Sequence, residues 1–188
     1  MTTDPQRAPF VGVSALLTGF NANVIAPGID PVDLPSQFLS LARARTGKPF
    51  TTLLDQFQTL SAQTPPLTPQ QIGEQLLGLN GHEQDPQVAA VAQAIMKLWY
   101  LGSWYQPYDF TTPDGQTFTE DLIFGVVASS QAYIAGLSWQ VMQSHAMGNS
   151  TWTFGYWAKQ PPALDEFTGN FPPAPPAPAS PAPAPSAA

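Results

Sequence analysis

The sequence predicts an all-α fold: a single irregular helical domain with long loops over residues 1–171, then a disordered Pro/Ala/Ser tail over 172–188. Three observations predict it. A capping side chain stands before proline at Asp30-Pro31, Thr68-Pro69 and Asp85-Pro86, and that pairing marks helix starts. Apolar residues after each start recur at three- and four-residue steps. Strand signals are weak throughout.

The first expected helix follows Asp30-Pro31. From Asp33, Leu34, Phe38, Leu41 and Ala42 form one apolar stripe, and Gly47 can end it. The next covers Thr51–Ala62, with Leu53, Leu54, Phe57 and Leu60 inward. Thr68 with Gln71 fits a capping box before Gln70–Leu79, which stops near Gly81. Val88–Tyr105 has the strongest period, carried by Val88, Val91, Ala92, Ile95, Leu98 and Trp99. Phe110–Phe118 reads as an irregular excursion around a Pro113-Asp114-Gly115 turn. Thr117 and Glu120 repeat the capping signature, so Asp121–Ser144 is expected to be helical over most of its length. Pro172–Ala188 contains only Pro, Ala and Ser. Such a segment buries too little apolar surface to offset its ordering entropy, and it reads as an extended tail with polyproline II bias.

Composition narrows the function. The chain has 188 residues and a formal net charge of -7, with six basic residues. It cannot neutralise a run of phosphates, so nucleic acid and anionic lipid headgroups are disfavoured as ligands. Charged residues make up 10% of the chain, against about 25% in an ordinary soluble protein. A surface so poor in charge points to cover by a partner. The absence of cysteine excludes disulfides, thiolate nucleophiles, cysteine-ligated clusters and covalent haem attachment in this chain.

Neither apolar stretch reads as a membrane or export signal. Pro9–Phe20 is broken by Gly12, Ser14, Thr18 and Gly19, and Met1–Ala8 carries no twin arginine. Leu122–Met142 is uncharged but contains Ser129, Ser130, Gln131, Ser138 and Gln140. That polarity suits a buried or partner-covered helix rather than one surrounded by lipid.

Catalytic signatures are missing. There is no G-x-G-x-x-G, phosphate loop, G-x-S-x-G or H-E-x-x-H. His82 lies in a helix-ending turn, and His145 stands far from it without an acidic cluster. The pairs Glu83/Asp85, Glu120/Asp121 and Asp165/Glu166 sit at helix starts or in loops, where acids favour the helix N-terminus. No catalytic, cofactor-binding or metal-binding residue is assigned to the chain.

Aromatic residues are the distinctive feature. Trp99, Tyr100, Trp104, Tyr105 and Tyr108 cluster at the end of the strongest helix, and Trp152, Tyr156 and Trp157 form a second group. Phe124 and Trp139 lie in the uncharged stretch between Asp121 and Lys159. Interface cores are depleted in charge and enriched in aromatics, so these ten residues form the expected partner face. Trp99 fits an internal core equally well. Trp104, Tyr105 and Tyr108 follow one another too closely to point one way.

Several stretches carry a resemblance. They are Ser14-Ala15-Leu16-Leu17-Thr18-Gly19, Phe38-Leu39-Ser40-Leu41 running to Thr46-Gly47-Lys48, and Leu67-Thr68-Pro69. More specific are Leu98-Trp99-Tyr100-Leu101-Gly102 and Leu122-Ile123-Phe124-Gly125-Val126-Val127, and Tyr156-Trp157-Ala158-Lys159-Gln160-Pro161 closes the set. In this order the sequence resembles the small subunits of bacterial membrane-bound, FAD-dependent sugar and polyol dehydrogenases, the sorbitol, fructose and glucose dehydrogenase complexes. The resemblance implies a non-catalytic subunit that folds with, stabilises or helps export a large subunit. That large subunit carries FAD and the catalytic residues, and a multihaem cytochrome c subunit passes electrons to quinone. It also implies the periplasmic side of the inner membrane, with membrane contact only through partners. Members often begin with a twin-arginine signal, which Met1–Ala8 lacks, and the proline-rich tail is not part of the family pattern.

Two other classes remain open at this stage. One is a stand-alone module whose Trp and Tyr residues stack on sugars or other ligands. The other is a hydrolase built on His145 with a Ser and an Asp.

Overall fold

The computed structural model describes residues 4–107 and 125–142, and Ser144. Outside the described residues lie the Phe110–Phe118 excursion, the Thr117/Glu120 capping signature, His145, the pairs Glu120/Asp121 and Asp165/Glu166, and the Pro172–Ala188 tail. Of the expected partner face, Tyr108, Phe124, Trp152, Tyr156 and Trp157 also lie outside them.

The fold is mostly helical, and 63% of the described residues are in helices. The elements are α1 (Arg7–Thr18), α2 (Ala22–Ile25), α3 (Leu34–Thr46), α4 (Lys48–Ser61), α5 (Pro69–Leu77) and α6 (Pro86–Leu101). A two-residue strand β1 (Ser103–Trp104) pairs antiparallel with β2 (Val126–Val127). Two short helices follow, α7 (Ser130–Ile134) and α8 (Leu137–Val141).

Helix α6 is the axis of the molecule. It packs against α1, α3, α4, α5, β1, α7 and α8. Its start is capped as expected, because the Asp85 carboxylate accepts from the Gln87 N–H at 2.8 Å and Pro86 occupies the first turn. Val88, Val91, Ala92, Ile95, Leu98 and Trp99 are all buried. Trp99 meets Phe38 edge-on at 4.7 Å between ring centres and Phe10 at 6.5 Å, and Phe10 in turn meets Phe50 at 5.9 Å. Aromatic rings from α1, α3 and α4 thus converge on one face of α6. Edge-on pairs at such distances add to plain area burial.

The capping box on α5 forms. Thr68 Oγ1 accepts from the Gln71 N–H, and Gln71 Oε1 accepts from the Thr68 N–H at 2.9 Å. In α4, Leu53 and Leu54 are buried while Phe57 and Leu60 pack partly covered against the core.

Several boundaries differ from the sequence reading. Asp30 does not cap a helix. Its Oδ1 accepts from the Val32 and Asp33 N–H groups at 3.0 and 2.7 Å, closing a side-chain turn, and α3 begins only at Leu34 with proline in its first turn. Helix α4 starts at Lys48, directly after Gly47, because Pro49 serves as the first-turn proline. Helix α5 ends at Leu77, since Gly78 takes the left-handed conformation three residues before Gly81. Helix α6 ends at Leu101 rather than Tyr105, because Gly102 is left-handed at φ 64°. Helix α1 adds an element that the apolar stretch Pro9–Phe20 did not signal.

The largest correction concerns Asp121–Ser144. Its described part is not one long helix. Gly125 has φ 67°, Val126 and Val127 are extended, Ser129 caps a new helix by accepting from the Ala132 N–H, and Gly136 separates α7 from α8. Two β-branched residues after a left-handed glycine favour a strand end over a helix start.

Candidate functional site

The stretch after α6 folds back on the helix it has just left. Gly102 reverses the chain so that Ser103 pairs with Val127 and Trp104 with Val126. The Ala128 N–H donates to the Gly102 carbonyl at 2.9 Å and extends this ladder. A Cβ on Gly102 would lie 2.6 Å from the Tyr133 nitrogen and would overlap the Ala132 carbonyl. Only glycine allows the backbone of α7 to approach this closely. A Cβ on Gly125 would come within 2.6 Å of the Tyr105 ring, so the second glycine lets β2 lie against that ring. The Lys97 ammonium lies over the Tyr105 ring, 5.7 Å from its centre.

Tyr100 joins three parts of the chain. Its hydroxyl donates to the Thr18 carbonyl at 2.8 Å, and its ring meets Phe20 edge-on at 6.1 Å. Its own carbonyl accepts from Ser138 Oγ at 2.6 Å, which holds α8 against α6. Burial raises the Tyr100 phenol above its ordinary value, so the hydroxyl stays protonated and donating at neutral pH. Trp139 donates from Nε1 to the Tyr133 carbonyl at 2.8 Å and meets the Tyr133 ring edge-on.

Residues 101–107 and 125–142 form this cap, and none of them is Asp, Glu, Lys or Arg. Leu101, Val126, Val127, Ile134, Val141 and Met142 are exposed, with Val127 at 54% and Met142 at 58%. Elsewhere among the described residues only Ile29 and Leu79 are large, apolar and exposed. The exposed aliphatic surface is therefore concentrated in these two uncharged segments.

The expected partner face is only partly present at the surface. Trp104 is fully buried, and its Nε1 donates to Gln106 Oε1 at 2.7 Å while Gln106 reaches back to the Arg45 carbonyl. It belongs to the chain's own core and cannot serve as a surface anchor, because the Gly102 reversal turns it inward. Trp99 is likewise buried, at 3% exposed. Tyr100 at the end of α6 and Tyr105 and Trp139 in the cap are half-buried. The exposed aliphatic residues were not singled out by sequence. The uncharged run was the signal that could have found them.

A second concave region lies between α4 and the loop before α6. Gln56 and Gln84 exchange hydrogen bonds at 2.7 and 3.2 Å at its floor, with His82, Glu83 and Asp55 on its rim. It is open and polar. Asp85 is engaged in capping α6, as the sequence suggested for that acid. Among the described residues no group of three or more His, Asp or Glu side chains could hold a metal ion. No helix among them is long and apolar enough to cross a membrane.

The chain matches no protein-family model, no curated protein and no solved structure.

Proposed function

We propose that this chain is a non-catalytic accessory subunit of an FAD-dependent sugar or polyol dehydrogenase complex, docking on the flavoprotein subunit through its uncharged cap. One observation carries the reading: exposed aliphatic side chains gather in two segments, 101–107 and 125–142, that hold no charged residue. Monomeric proteins rarely leave large contiguous apolar surface exposed unless a partner uses it. The two stretches with the most specific resemblance, Leu98–Gly102 and Leu122–Val127, supply the chain reversal and the β2 strand of that cap. The choice of partner rests on this resemblance. FAD would be held by the large subunit and haem c by a cytochrome subunit, on the periplasmic side of the inner membrane. Trp99 and Trp104 are buried in the chain's own core, and the exposed side chains of the cap are aliphatic, which suits a protein partner better than a free saccharide.

The test is co-expression with the flavoprotein subunit. Val127→Glu and Met142→Glu place a charge on exposed positions, where substitutions usually change stability by no more than about 0.5 kcal/mol. The expected outcome is loss of recovered complex with an unchanged helical circular dichroism spectrum. Full recovery of complex with both variants would overturn the assignment of the cap.

A further inference from the structure

The turn between α5 and α6 carries an arrangement that docking through the cap does not use. The chain reverses through Leu79-Asn80-Gly81-His82, with the His82 N–H donating to the Leu79 carbonyl at 3.1 Å. Asn80 and Gly81 have positive φ of 53° and 85°. Two successive positive φ values define a type I′ turn, for which Asn-Gly is the preferred pair. This is the one Asn-Gly pair in the sequence. Both residues are exposed, and a Cβ on Gly81 would meet nothing within 4 Å. Neither the Asn80 carboxamide nor the Gly81 N–H has a hydrogen-bond partner among the described residues.

We propose that Asn80 is a site of spontaneous deamidation. The Gly81 backbone nitrogen attacks Cγ of the Asn80 carboxamide. A new C–N bond forms, the Gly81 proton passes to the departing amide nitrogen, and ammonia leaves. The product is a five-membered succinimide between the two residues. Water then adds to either ring carbonyl and opens that C–N bond, giving an aspartyl or an isoaspartyl linkage. No atom changes oxidation state, and water is the only co-reactant. The attack requires Asn80 to rotate out of the turn. Only one main-chain hydrogen bond opposes that rotation, and no side chain crowds Gly81. Exposed turns of this kind belong to the part of a structure that opens most readily.

The consequence reaches beyond the turn. The new carboxylate would stand in the same loop as Glu83 and Asp85, which line the polar groove. An isoaspartyl linkage also adds one methylene to the main chain between Gly78 and Gln84. Gln84 ties three helices together there. It exchanges hydrogen bonds with Gln56 of α4, donates to the Gln75 and Leu76 carbonyls at the end of α5, and accepts from the Asp85 N–H before α6 at 2.9 Å. Lengthening the turn shifts Gln84 relative to these partners.

The full chain is incubated at mildly alkaline pH and mapped by peptide mass spectrometry, with a urea-unfolded sample in parallel and Asn80→Gln as the control. In the folded wild type, the peptide spanning residues 79–82 is expected to gain one dalton and split into two chromatographic forms. That gain should be absent in Asn80→Gln. The isoaspartyl fraction, once separated, should melt at a lower temperature than the unmodified protein. If the unfolded chain converts while the folded chain keeps its mass, the turn protects Asn80 and the proposal is wrong. A gain of equal size in the same peptide of Asn80→Gln would also overturn it.

Discussion

The body and the cap obey different rules. Between Asp4 and Lys97 lies every Asp, Glu, Lys and Arg among the described residues, and the helices there bury one apolar face and solvate the other. The Arg7–Asp33 and Arg43–Asp4 pairs, at 3.0 and 2.9 Å, tie the N-terminal turn to the region of α3. Among the described residues the cap, 101–107 and 125–142, has no charged residue, and its short elements stay attached through glycine contacts and hydrogen bonds to α6. A charged outer face is what keeps a small helical body independent in water. Both described segments of the cap lack it, and interface cores are likewise depleted in charge.

The largest effect should come from the core that both regions share. Trp99→Ala removes the ring on which Phe10 and Phe38 converge. Truncations of buried aromatics cost about 3–5 kcal/mol. Denaturant unfolding should show that loss, and the helical spectrum should weaken in body and cap together. A small effect would mean that the aromatic cluster is not the centre of the fold.

Gly102→Ala separates the regions. It forces a left-handed residue to carry a Cβ against the Ala132 carbonyl and the Tyr133 nitrogen. Left-handed strain alone costs about 1–3 kcal/mol. Hydrogen exchange should rise at Ala128, Ala132 and Trp139 while α6 and α4 remain protected. Equal loss of protection in α4 would show that cap and body unfold as one unit.

Tyr100→Phe is milder. It removes the hydroxyl bond to the Thr18 carbonyl but keeps the ring on Phe20. A single such bond contributes about 0.5–1.5 kcal/mol. The thermal midpoint should fall slightly, with the rigid-body spectrum intact.

The smallest effect is the acid response of the body. The Asp4 carboxyl is held below its ordinary value of 3.8 by the Gln6 N–H and then by Arg43, and Asp33 by Ser36 and then Arg7. Folded values below unfolded ones mean that this stabilisation is present above pH 3.8 and is lost as the pH falls through the depressed values. Asp33 is exposed and Asp4 partly so, and ion pairs in contact with solvent contribute little. Asp4→Asn with Asp33→Asn should therefore lower the thermal midpoint slightly at neutral pH and leave it unchanged in strong acid, so that the acid limb flattens by that small amount. An unchanged acid limb would remove these two residues from the account.

What the sequence made legible follows from how local each signal is. The period of α6 and the Thr68–Gln71 box depend on residues one turn apart, and both are found as read. Asp30 misled because an aspartate before proline closes a side-chain turn as readily as it caps a helix. Gly12 and Gly19 made Pro9–Phe20 look broken. Gly12 in fact lets α1 lie against Phe57, whose ring would be 2.7 Å from an added Cβ, and Gly19 ends the helix. Trp104 could not be placed from its neighbours, because its direction depends on a reversal at Gly102 and on pairing with Val126. The uncharged stretch was visible, but a missing charge says that a surface is covered or shared without saying by which elements. That is why Val126 and Val127 emerged only from the fold.

The most direct test of the account is recovery of the chain from its native membrane by an affinity tag, followed by the flavin absorption spectrum and dye-linked sugar oxidation of the eluate. The account predicts a stoichiometric flavoprotein in the eluate, with flavin and activity that disappear when the tagged chain is purified alone. Flavin bound to the isolated chain, or elution of the chain without any flavoprotein, would contradict it.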